Sequence, residues 1–123
     1  MLWQATIRAV PRTKKNSAQI VRAGFRPRLI PSAAFLAWNK DAQLQLAFLR
    51  PAAPLACAVN CRAMFYRDKN VGDAVNFYNA LADALQEAGV IENDRQIIAW
   101  DGSRLMVDRI NPRIEIVLEA PKW

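Results

Sequence analysis

The stretch GDAVNFYNALADAL, residues 72–85, followed closely by VIENDRQI at 90–97, decides how this chain is read. Ala74, Phe77, Tyr78, Leu81, Ala82, Leu85 and Ala88 recur at three- and four-residue spacing, which predicts an amphipathic helix over 73–88 with one stripe facing a core. Gly89 supplies the stop, because a residue without a Cβ enters the left-handed conformation at little cost. A rotation of about 100° per residue puts Asp73, Asn76, Asn79, Asp83 and Glu87 on the side away from that stripe. A solvated helix face accounts for Asp83 and Glu87. Asp73 and Asn76 differ, because they stand where a loop turns into the helix. RQIIAWD at 95–101 then reads as a strand with Asp94 at its start.

Working outward, LACAVNCRAMFY (55–66) alternates as a strand with Cys57, Val59, Cys61, Ala63 and Phe65 on one face. Upstream, Ser32 caps a predicted helix over 33–50 whose Phe35, Trp38, Ala42, Leu46 and Leu49 form a core face. Residues 2–10 read as a strand ended by Pro11, residues 18–30 as a hairpin turning near Gly24, and 112–120 as the closing strand. The 102–111 segment is expected to be partly extended. This order of elements predicts one α+β domain over 1–123, a mixed β-sheet covered by two main helices.

Composition narrows the chemistry. With 123 residues, 53% of them hydrophobic, the chain can bury one core. Its apolar runs are broken by Arg, Gln or Asn well short of the ~20 residues a bilayer span needs, and MLWQATIRAV lacks the features of a secretory signal. A soluble, cytoplasmic protein with no membrane partner is expected. Histidine is absent, which removes Ser–His and Cys–His catalytic pairs and the imidazole ligands of most zinc sites. Any catalysis then falls to carboxylates and a hard cation. Cys57 and Cys61 would lie about 13 Å apart on one strand, beyond the ~7 Å that a disulfide spans, and are read as reduced, buried thiols.

The net charge is +6, and Arg8, Arg12, Lys14, Lys15, Arg22, Arg26 and Arg28 all precede the first carboxylate, Asp41. Such a region is the footprint of a protein that meets phosphates. Seven of the eleven acids nevertheless fall between Asp68 and Asp101. Trp3, Trp38, Trp100 and Trp123, with Tyr66 and Tyr78, are assigned to packing or a dimer surface rather than to base stacking.

A basic loop, then Asp73 and Asn76 opening a helix, then DALQEAG at 83–89 and NDRQI at 93–97, resembles the RusA family of Holliday-junction resolvases. Pro11 and Asn16 of VPRTKKNS, the PSAAFLAW helix entry and the PRIEIVLE strand extend the resemblance over nearly the whole chain. It implies a RusA-like fold and a homodimeric, Mg²⁺-dependent endonuclease, with Mn²⁺ as a possible substitute, that nicks four-way DNA junctions. Asp73 matches the first acid of the family's Asp-x-Asp-Asn motif, Asn76 its asparagine, and Asp94 the acid after the helix. Asp73 and Asp94 would hold the metal, with Asn76 positioning water or ligand. Arg12, Lys14, Lys15, Asn16, Arg67, Lys69 and Arg104 would contact the DNA. The sequence departs from the pattern at Val75 and Asn93, where the family has acids, and at Asn79, where it has a lysine. Those departures open a second expectation, a junction-binding protein of the same fold without catalysis. A third is an unrelated basic domain that binds protein or RNA.

Overall fold

Alternating and helical periodicities build one layered structure. This computed structural model describes residues 1–14, 18–23, 26–31 and 33–122, with the backbone alone for 18–23 and 26–31. In chain order its elements are β1 (Trp3–Ile7), β2 (Ala18–Ala23), β3 (Arg26–Pro31), α1 (Ala33–Leu49), β4 (Val59–Arg67), α2 (Ala74–Glu87), β5 (Ile97–Ala99), β6 (Arg104–Val107) and β7 (Arg113–Glu119). Lys15, Asn16, Gly24, Ser32 and Trp123, each given a role above, lie outside the described residues.

The fold is α+β: a mixed five-stranded sheet with two helices. β4 is its centre. On one side β7 runs antiparallel to β4, and β1 antiparallel to β7. On the other side β5 and β6 both run parallel to β4, β5 against its start and β6 against Met64 to Arg67. β2 and β3 pair with each other as a separate two-stranded ribbon. Among the described residues no helix is long and apolar enough to cross a membrane.

Period-two alternation puts one residue set on each sheet face. Ile7, Ile114 and Phe65 lie in one cross-strand row, and Trp3, Leu118 and Cys61 in another. All six are buried. α2 covers this face with Phe77, Leu81 and Leu85, and Phe65 sits 5.5 Å from the Phe77 ring and 5.8 Å from that of Tyr78. The helix ends as its glycine predicts. Gly89 has φ 78°, its N–H donates to Gln86, and the N–H of buried Val90 donates to Leu85, which satisfies carbonyls that would otherwise lack partners.

α1 buries Phe35, Trp38, Ala42 and Leu46 as expected, while Leu49 turns out to be 44% exposed. Leu49 contributes its carbonyl instead, which accepts the Trp3 indole N–H at 2.8 Å. Gln45 fastens the helix to the end of β1 by accepting from the Arg8 amide and donating to the Arg8 carbonyl.

The two cysteines part company. Cys61 is buried in β4, and burial, with the Glu119 charge adding to it, pushes its thiol up to about 12, so it stays protonated at neutral pH. Cys57 is exposed, contrary to the expectation of two buried thiols, because the strand begins only at Val59. Both are free. The expected strand at 95–101 is also shorter. Asn93 opens a turn of 3-10 helix at Asp94–Gln96, accepting from the Arg95 amide while Gln96 Oε1 accepts from the Asn93 amide, and only Ile97–Ala99 is extended.

Candidate functional site

Strand direction gathers the basic loops at one end of the sheet. β1, β4 and β6 point the same way, so the segments leaving them, 8–14, 68–73 and 108–112, emerge together beside the start of α2. There a cavity of about 230 Å³ is lined by Pro11, Arg12, Thr13, Arg67, Asp68, Lys69, Val71 and Phe77. Three of the seven residues expected to contact DNA therefore share one pocket: Arg12, Arg67 and Lys69. Thr13, buried, and Val71, exposed, were not foreseen as part of it. A threonine between Arg12 and Lys14 was the available signal for Thr13.

Arg67 differs from its two neighbours. It is only 6% exposed, and its guanidinium donates to the carbonyls of Met106 and Val71 at 3.1 Å and to Asn70 Oδ1 at 3.3 Å. Among the described residues no carboxylate pairs with it. Its backbone carbonyl accepts the Asp108 N–H at 2.8 Å. Arg67, expected as a direct DNA contact, lines the pocket together with Asp68, and its guanidinium ties the loop after β4 to β6. Arg12 is half-buried and Lys69 exposed, which suits them to meet an anion arriving from solvent.

Lys14 and Arg104 lie elsewhere. Lys14 Nζ is 3.9 Å from the Asp83 carboxylate and 5.8 Å from the Phe35 ring, in the groove between α1 and α2. Arg104 is exposed opposite Met64, on the sheet face that the helices leave uncovered.

Asp73 is the N-cap residue of α2, two positions beyond Val71. Its side chain makes no capping hydrogen bond, and its near contact is Asn76 Nδ2 at 3.5 Å. Asp94 lies at the other end of the helix: its amide donates to Gln86 Oε1 at 2.8 Å, in the last turn of α2. Thirteen residues at about 1.5 Å each separate Asp73 from Gln86, so the two ends are about 20 Å apart. The expectation that Asp73 and Asp94 share one ion is therefore not met within a single chain. The cause is topological. β5 lies parallel to β4, and a parallel pair requires the chain to return the length of the sheet through its crossover helix. The residue before that helix and the one after it must then lie at opposite ends.

This separation answers whether the residues present fit a divalent metal. Asp73 and Asn76 offer one carboxylate and one amide, and Asp94 one carboxylate far away. Among the described residues no group of three or more His, Cys, Asp or Glu side chains could hold a metal ion. One chain alone does not fit Mg²⁺ at the expected place. Comparison with protein-family models and with curated proteins gives no match to this chain.

Proposed function

We propose that this protein binds the sugar-phosphate backbone of branched DNA at the basic end of its sheet, and that it cuts DNA only as a two-fold pair. In that pair Asp73 and Asn76 of one subunit would stand with Asp94 of the other, and these three side chains would hold a divalent ion that, when bound, would supply the charge stabilisation that phosphodiester hydrolysis needs. The resemblance to the RusA resolvases motivates the activity. The carrying observation is that Asp73 and Asp94 are both exposed, with neither in an ion pair among the described residues, at opposite ends of one helix. Acids so placed cannot meet within a chain, whereas a two-fold axis across the helix exchanges its ends. A second copy is also favoured by α1, whose outward residues Leu36, Leu44 and Phe48 are 55%, 60% and 90% exposed.

A second reading, DNA binding without cutting, is favoured by Val75, Asn79 and Asn93, which cannot replace the acids and lysine of the family pattern. Subunit mixing separates the two. Asp73→Asn and Asp94→Asn proteins are each expected to be inactive on a labelled four-way junction with Mg²⁺. After unfolding and refolding together they should recover about a quarter of wild-type nicking, since half of the dimers are mixed and each carries one complete site. Wild-type nicking without recovery on mixing would contradict the shared site, and no nicking by the wild type would leave the binding-only reading.

A further inference from the structure

Beside the basic pocket, the turn joining β6 to β7 holds Ile110 almost wholly in water, 96% exposed. A lone exposed isoleucine is ordinary on a protein surface. This one is presented by a clamped turn. Asp108 Oδ1 accepts the amides of Ile110 and Asn111 at 3.1 and 3.0 Å, while Asp108 Oδ2 accepts from Arg113 at 3.0 Å. Arg113 also donates to the Asn111 carbonyl and to Glu115, and its guanidinium lies 3.8 Å over the Tyr66 ring. The Asn111 amide first, and then Arg113, hold the Asp108 carboxyl below its ordinary range, so the clamp is fully ionised at neutral pH. The turn is thus fixed at both ends, and the side chain it projects is apolar.

The clamp also joins Ile110 to the pocket. Asp108 donates its amide to Arg67, and Ile110, two residues on, lies within about 7 Å of Asp108 along the chain. A phosphate at Arg12 and Lys69 would therefore have Ile110 within a few base steps, at about 3.4 Å per step along a strand. Arg109, exposed, sits next to it in the turn. A rigid β-branched side chain among cations is the arrangement by which proteins part stacked bases, with the cations holding the backbone while the apolar residue fills the opened step.

We infer that Ile110 is a wedge that enters the base stack at a branch point while the Arg12–Lys69 pocket holds the adjoining phosphate. This rests on the DNA-binding reading above. A branch offers such a wedge steps that are already open, whereas continuous duplex must first be unstacked, so the residue selects branched over linear DNA.

The test compares native protein with Ile110→Ala and Ile110→Asp on a four-way junction and on linear duplex of the same sequence, at one salt concentration, with 2-aminopurine at the crossover. Both variants should lose about tenfold in junction affinity and stay within about twofold on duplex, and the rise in 2-aminopurine fluorescence on binding should disappear. Equal losses on both DNAs, or none, would overturn the wedge while leaving the DNA-binding reading standing. So would a change in sedimentation on Ile110→Ala, which would make the turn a contact between copies. Failure of native protein to bind either DNA would overturn both.

Discussion

Phe65→Ala is expected to lower the free energy of unfolding by about 3–5 kcal/mol, measured by urea denaturation. Phe65 is fully buried at the middle of the central strand, level with Ile114 on one side and Leu105 on the other, with α2 above it. Truncation forfeits the transfer of the ring from water and leaves a cavity beneath a helix that is also anchored through its own buried Leu81 and Leu85 and so cannot collapse freely onto it. The tilted contacts with Phe77 and Tyr78 are lost as well, each worth about 0.5–1.5 kcal/mol beyond area. Since a whole domain is stable by only about 5–15 kcal/mol, this one residue carries a large share. Phe65→Leu should cost markedly less. A loss under about 1 kcal/mol for the alanine variant would contradict the packing of α2 on β4.

Arg67→Leu is the second large effect. It removes the donors that satisfy the Met106 and Val71 carbonyls and severs the side-chain link between the segments after β4 and in β6. Met106 and Val71 are themselves exposed, so water can replace part of what is lost, and at about 0.5–1.5 kcal/mol for each hydrogen bond the loss is about 1–3 kcal/mol in all. The two loops should also exchange their amide hydrogens faster, beginning with Asp108, whose donation to the Arg67 carbonyl depends on that alignment. DNA affinity should fall with them, because Lys69 sits on one of the loosened loops. Unchanged stability together with lost DNA binding would show Arg67 to be a direct phosphate contact after all.

The long, regular elements were legible in the sequence because burial imposes their period. The stripe from Ala74 to Ala88 and the alternation through Val59, Cys61, Ala63 and Phe65 each predicted the face that is buried. β5 and β6 were less so. At three and four residues they are too short for a period to emerge, and each pairs with only half of β4. The turn before β5 did leave a local trace, Asn93 followed three residues later by Gln96, which is the spacing of a capping box.

The candidate site was only partly legible. Arg12 and Lys69 are far apart in sequence, and their basic character marked both without placing them in one pocket. The pairing of Asp73 with Asp94 failed within the chain because residue spacing carries no strand direction. Once β5 is known to run parallel to β4, their separation follows without any side-chain detail. Arg67 was marked by charge, and its burial beneath loop carbonyls is a tertiary property that no local pattern records.

The most direct measurement of the central claim, that the basic end of the sheet holds DNA phosphates, is the salt dependence of four-way-junction binding by native protein and by an Arg12→Ala/Lys69→Ala variant. Each phosphate contact contributes about −0.9 to the slope of log affinity against log salt, so the double variant should bind more weakly with a slope shallower by about 2. A slope identical to that of native protein would place the DNA on some other surface and contradict the account.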